Sequence, residues 1–263
     1  LVEQQAEQVT QAVKSELEAR IPRSLIPLTS DVLDKTTASL GEEFDQQWGG
    51  FGYSIANPNV PKFPTPGNLE FLVYRVLELR ALGEEDEKEL AMLTTQLDYM
   101  ALGGIRDHLG GGFHRYSVDR FWHIPHFEKM LYDNGQLASI YAAGFKLTGN
   151  IEYKQVTDEL LGFVTREMTD EAGGFYSALD ADSEGEEGKF YRWSREEIKA
   201  ELTDQQYRDF ADIYGITDDP NFEEHFYTLL LKSSVSQIAK ERAVERAVLE
   251  AKLQPIREQL LGL

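Results

Sequence analysis

The chain of 263 residues is long enough to bury a large core, and its 46 acidic against 26 basic residues leave a net charge of −20. That balance argues against nucleic acid and anionic membranes as partners, and the absence of cysteine removes disulfides, thiolate nucleophiles and thiolate metal sites. No apolar run reaches the ~18 residues that span a bilayer, and no apolar block opens the chain, so a cytoplasmic protein is the expectation.

Residues 1–47 read as one or two amphipathic helices interrupted by Pro22 and Pro27. A repeat follows. Gly49-Gly50-Phe51, Gly111-Gly112-Phe113 and Gly173-Gly174-Phe175 are spaced by 62 residues both times. Between the first two triplets, Leu69, Leu72, Val73, Val76 and Leu77, then Leu90, Leu93, Leu97 and Met100, recur at helical spacing around a turn at Leu82-Gly83. Glu84, Glu85, Asp86 and Glu87 suit the positive end of the second helix. The next interval repeats the plan with Phe127, Met130, Leu131, Leu137, Ile140, Tyr141 and Phe145, a turn at Thr148-Gly149-Asn150, and Tyr153, Val156, Leu160, Phe163 and Val164. Residues 233–261 read as a charged helix that is solvated or pairs with further chain.

A hairpin of this kind buries its apolar face only against its neighbours, so hairpins stack in a solenoid or close into a ring. Long Gly-rich links, with strand-like FHRYSV and FYSAL after the triplets, gather loops on one face and favour the ring. The predicted fold is all-α: an incomplete α/α toroid of the six-hairpin type, with short β-hairpins in the loops at one end. Residues 31–232 form its first half as three helical hairpin repeats, and residues 233–263 a charged C-terminal helix.

Chemistry is expected on the loops at the mouth. In Trp48-Gly-Gly-Phe-Gly52 with Pro61-Lys62-Phe63-Pro64, Lys62 is the one cationic side chain; it either binds a substrate anion or forms a salt bridge in a rigid loop. The segment 107–134 holds four of the five histidines, His108, His114, His123 and His126, with Arg115, Tyr116, Trp122, Glu128, Tyr132 and Asp133. Pro125 fits a first helical position, which would set His126, Lys129 and Asp133 on one stripe. Rings beside carboxylates and imidazoles suit a sugar: rings stack on its apolar faces, carboxylates hold hydroxyls, and a His or Glu moves the proton. Backbone capping is the alternative role for such residues.

Asp180-Ala-Asp182-Ser-Glu184-Gly-Glu186-Glu187-Gly188 sits between FYSAL and KFYRW as a hairpin tip. It begins like a Ca²⁺ loop but has Tyr191 where the bidentate Glu belongs, so no metal is assigned. Its carboxylates either point into the mouth with raised pKa values or form a solvated turn. There is no G-x-S-x-G, no G-x-x-x-x-G-K-[ST] and no H-E-x-x-H, which leaves serine hydrolases, P-loop enzymes and zincins without support.

GGFG with PKFP, GGFHRYSVD, PHFEKMLYDN, REM, GGFYSA, DADSEGEEGKFY and Asn221-Phe222-Glu223 together resemble the thioredoxin-domain-containing family related to the spermatogenesis-associated protein, over about residues 40–230. The resemblance implies an N-terminal thioredoxin-like domain ahead of a toroid similar to N-acylglucosamine 2-epimerases. With no initiator Met, the chain is expected to be a piece of such a protein, residues 1–30 being a linker helix after that domain. Tyr53 to Asn59 is longer than the family pattern, and Gly135 stands where a helix former is usual.

The expected function is a carbohydrate-active domain, a sugar isomerase, epimerase or hydrolase. Catalytic candidates are His126, His114, Glu128, Asp180 and Asp182; substrate-binding candidates are Lys62, Phe113, Arg115, Tyr116, Trp122, Tyr132 and Asp133. No cofactor is expected. The partners are a sugar-like ligand, the thioredoxin-like domain and the remaining toroid hairpins. The alternatives are a non-catalytic scaffold working with the thioredoxin-like domain, and a fragment inactive by itself.

Overall fold

The computed structural model describes residues 2–20, 31–53 and 60–262. Pro22, Pro27 and most of the segment from Tyr53 to Asn59 lie outside the described residues. The chain divides into two compact units, residues 1–38 and 39–263. The first carries α1 (Val2–Arg20), and α2 (Asp31–Glu43) begins in it.

In the second unit, α3 (Pro66–Leu82) starts with Pro66, whose missing N–H costs nothing in a first turn, and ends at Gly83, whose φ of 74° lets its N–H close on Arg80. Next come α4 (Glu87–Leu102), α5 (Leu131–Thr148) and α6 (Ile151–Glu167), the last capped by the Asn150 side chain accepting from the Glu152 N–H. Leu69, Leu72, Leu93, Leu97, Tyr141, Tyr153 and Leu160 from all four helices share one core. The hairpins read from the two intervals between the triplets are present, and Leu77 is the one α3 stripe residue left exposed.

The repeat extends into the loops. Bridges join Phe44 to Phe51, Arg106 to Phe113 and Thr169 to Phe175. In each loop an aspartate, Asp45, Asp107 or Asp170, accepts from backbone N–H groups two or three residues on. Glycine is obligatory at two of these turns. Gly49 (φ 67°) and Gly111 (φ 80°) lie so near α4 and α6 that a Cβ would stand 2.6 Å from Gln96 Cα and from the Glu159 carbonyl oxygen. The third loop seats on no helix: Gly173 and Gly174 face open space, and Phe175 is 62% exposed.

The strands are two-residue antiparallel pairs: β1 (Tyr116–Ser117) with β2 (Pro125–His126), β3 (Lys129–Met130) with β4 (Ala178–Leu179), and β5 (Asp182–Ser183) with β6 (Glu186–Glu187). This corrects two expectations. Pro125 lies in a strand, where it needs no ladder N–H, and α5 begins only at Leu131, so His126, Lys129 and Asp133 do not share a helical stripe. FYSAL and KFYRW do not pair with each other. Ala178–Leu179 takes β3, and β7 (Arg192–Trp193) takes β8 (Tyr227–Thr228). The acidic hairpin is the tight β5–β6 turn alone, with Glu184 (φ 54°) and Gly185 (φ 81°) in the left-handed region that a two-residue hairpin turn requires.

The first two helices after the third triplet are short, α7 (Arg195–Glu201) and α8 (Asp204–Ile213), each started by a reciprocal capping box. The single charged C-terminal helix expected over 233–263 is instead two, α9 (Val235–Glu241) and α10 (Arg246–Leu261). Leu249, Leu253, Ile256 and Leu260 of α10 are buried with Phe210 and Tyr214 of the α8 region in a second core. A solvated helix would leave them in water. The fold is all-α, helical hairpins in series with β pairing confined to the loops, as in an α/α toroid.

Candidate functional site

The β1–β2 pair places Tyr116 directly across from His126, and their rings stack with centroids 4.9 Å apart and planes 17° apart. Phe63 lies against Tyr116 at 4.8 Å. His126 Nε2 stands 3.7 Å from Glu187 Oε1 of the acidic hairpin, and its Nδ1 is buried without a hydrogen-bond partner. One residue along, the Arg115 N–H donates to the Glu128 carbonyl, and Arg115 Nη1 donates to Glu128 Oε2 at 2.8 Å. Asp133, in the first turn of α5, is 7% exposed. Burial and the Glu128 charge outweigh the attraction of Arg115 and push its carboxyl up to about 6. Tyr132 beside it is exposed. The result is an aromatic pair, Phe63 and Tyr116, with the His126 imidazole stacked on it, and a carboxyl raised to about 6 near the Arg115–Glu128 ion pair.

His114 is not part of that surface. It is enclosed between Phe127 and Tyr191, with Nδ1 2.9 Å from the Phe127 carbonyl. A carbonyl only accepts, so Nδ1 carries the proton. Burial, aided by nearby Lys129, holds the imidazole down at about 3, neutral at physiological pH. Lys129 is 1% exposed and donates to Asp107 Oδ2 at 2.7 Å and to the Gly111 carbonyl at 2.9 Å. Burial would raise the Asp107 carboxyl, but Lys129 holds it at about 2.

Five other candidates are placed elsewhere. Phe113 is buried and stacks on Tyr141 in the first core, and Trp122 is buried with its indole N–H donating to the Trp48 carbonyl, so neither offers a stacking surface to a ligand. Lys62 is 3% exposed, 3.3 Å from Asp45 Oδ2 and hydrogen-bonded to the Arg120 carbonyl; it is the salt bridge of a rigid loop and not an anion site. Asp180 and Asp182 are exposed, Asp180 accepting from the Asp182 N–H as a turn cap. Their neighbours Glu184 and Glu186 pair with Lys189 and Arg192.

Sequence reasoning offered a salt bridge for Lys62 without its partner Asp45, and missed the buried Lys129–Asp107 pair. Part of the signal was present, since Asp45 and Asp107 also stand 62 residues apart; the lysines, 67 apart, are brought to them by backbone pairing with Ser117 and Leu179.

No protein-family model matches the chain. Human spermatogenesis-associated protein 20 is 42% identical over 201 residues, 74% of this chain. Over that stretch the chain is a homologue of spermatogenesis-associated protein 20. It spans a quarter of the length of that relative. Among solved structures, the cellobiose 2-epimerase of Spirochaeta thermophila is similar over 60% of this chain and 42% of its own, with 19% identity and a TM-score of 0.45. A sugar epimerase from a ruminal bacterium covers 89% of this chain and 68% of its own, at 12% identity and a TM-score of 0.47. Among the described residues no helix is long and apolar enough to cross a membrane.

Proposed function

We propose that the surface of Tyr116, His126, Arg115, Glu128 and Asp133 binds a sugar-like ligand and moves protons on it, as an isomerase or epimerase. The observation that carries this reading is Asp133, raised to about 6 beside the Arg115–Glu128 pair, on the stretch that also carries His126 stacked on Tyr116. A carboxyl titrating near the working pH both gives and takes a proton efficiently. Phe63 and Tyr116 supply the stacking faces, and Arg115 with Glu128 the hydroxyl contacts. Glu128 is committed to Arg115, which leaves Asp133 and His126 as two proton-transfer groups of different kind. That suits removal of a proton from a carbon next to a carbonyl and its return to the other face, more than the carboxylate pair of glycoside hydrolysis.

The test is solvent exchange. The full-length protein is incubated in D₂O with aldoses and cellobiose, and carbon-bound deuterium is followed by NMR. Label entering the wild type and not Asp133→Asn supports the reading. No label and no binding across the panel sinks it.

A second reading, a scaffold that presents a partner to a thioredoxin-like domain, draws on the third loop, where Phe175 and Tyr176 are both exposed. A photo-crosslinker at position 175 of the full-length protein that captures that domain supports it.

A further inference from the structure

The first two Gly-Gly-Phe loops are each covered by the second helix of the hairpin that follows them. An added Cβ would stand 2.6 Å from Gln96 Cα of α4 at Gly49, and 2.6 Å from the Glu159 carbonyl oxygen of α6 at Gly111. Each loop also receives a lysine from later in the chain. Lys62, just before α3, reaches Asp45 Oδ2, and Lys129, just before α5, reaches Asp107 Oδ2. Both side chains are enclosed, at 3% and 1% exposed.

The third loop is built on the same plan. The Asp170 N–H donates to the Gly174 carbonyl, as Asp45 does to Gly50 and Asp107 to Gly112, and Asp170 Oδ1 accepts from the Ala172 N–H. Neither cover is present among the described residues. An added Cβ at Gly173 or Gly174 meets nothing within 4 Å, and Phe175 and Tyr176 are 62% and 48% exposed where Phe113 is 0%. Asp170 Oδ2, the counterpart of the oxygens that take the lysines, accepts from the Tyr176 hydroxyl. Lys62 and Lys129 follow their aspartates by 17 and 22 residues. That interval after Asp170 holds Lys189 and Arg192, which pair with Glu184 and with Glu186 and Glu223. The helices that follow, α7, α8 and α10, pack on one another in the second core.

We infer that the third Gly-Gly-Phe loop is the docking surface for a further helical hairpin of the same polypeptide, which follows Leu263 and enters with a lysine that pairs with Asp170. The matched stretch is 25% of the length of the human relative, so a full-length protein of this kind has the chain to supply it. A hairpin repeat buries its apolar face only against a neighbour, and an exposed aromatic pair beside a carboxylate without a cation is the surface such a neighbour covers. A helix laid on Gly173 encloses Phe175, and the arriving ammonium displaces the Tyr176 hydroxyl from Asp170. Within these 263 residues an alanine at 173 meets backbone strain alone; beneath the docked helix it would meet that helix as well. This inference does not rest on the sugar-enzyme reading, and it competes with capture of a thioredoxin-like domain at the same loop.

The test is hydroxyl-radical footprinting of the full-length protein by mass spectrometry, with the urea-unfolded protein as the fully labelled reference. Phe175 and Tyr176 are expected to be protected to the level of Phe113 at every protein concentration. Amine acetylation then finds the lysine. One lysine after residue 263 should react as slowly as Lys129, and should become reactive in Asp170→Asn while Lys62 and Lys129 stay slow, because removing one partner of a buried pair strands the other. Labelling of Phe175 and Tyr176 near the unfolded level overturns the inference, as does protection that fades on dilution, which would make the cover a second copy. So does a wild type with no slow lysine after residue 263, or an Asp170→Asn variant that releases none. A photo-crosslinker at position 175 gives a readout that leaves Asp170 intact: capture of peptides after residue 263 supports the docking, and capture of the thioredoxin-like domain overturns it.

Discussion

Lys129 reaches into the second Gly-Gly-Phe loop and donates to Asp107 at 2.7 Å, as Lys62 does to Asp45 at 3.3 Å in the first loop. In both, an ammonium enclosed by the fold meets the aspartate that also caps the loop's N–H groups. Removing one partner of a buried pair strands the other charge, at a cost of about 3 to 5 kcal/mol. Lys129→Met should therefore lower unfolding stability by about that much in chemical denaturation, and Lys129→Met with Asp107→Asn by clearly less. Equal losses in the single and double variants would mean the pair is not coupled.

Asp133 provides a pH test. Its folded value of about 6 lies above the ordinary carboxyl value of 3.8, so the folded state holds the proton more tightly, and the stability this confers is complete below about 4 and lost as pH rises through 6. The ionisation penalty at pH 7.5 is about 3 kcal/mol at most. Asp133→Asn, which cannot ionise, should gain on wild type between pH 4 and pH 7.5 in parallel urea titrations. A constant difference across that range would show that Asp133 is ionised without penalty.

His108 and His114 act at the acid end. Both are held at about 3 by burial, against 6.5 in the unfolded chain. The unfolded state therefore binds the protons first, and stability falls as pH drops from about 6.5 toward 3, on the order of 1 kcal/mol per pH unit per histidine. His114→Phe should flatten this limb in a melting-temperature series from pH 7 to pH 4.

The triplet glycines separate conformation from packing. Gly111 and Gly173 both have φ near 80°, so alanine at either meets the left-handed strain of about 1 to 2 kcal/mol. Only at Gly111 would the new methyl also meet a carbonyl oxygen at 2.6 Å. Gly111→Ala should cost well over Gly173→Ala by denaturant midpoint, and equal costs would deny the close seating of the second loop on α6.

The sequence by itself determined the 62-residue period, the α3–α4 and α5–α6 hairpins with their glycine and asparagine caps, and the stretch from Arg115 to Asp133 as the place to look for a site. These are local properties: helical faces recur every three or four residues, and left-handed turns demand glycine wherever they fall. Only the tertiary structure decided that Phe113, Trp122 and Lys62 are enclosed, that His114 and His126 do not share a surface, and that FYSAL pairs with Lys129–Met130 and not with KFYRW. It also turned the charged C-terminal stretch into two helices with a buried face. An aromatic ring or lysine beside a Gly-rich loop reads the same whether the chain folds over it or leaves it open. Contacts between residues 50 or more positions apart, such as Trp122 with Trp48 and Lys129 with Leu179, make that choice.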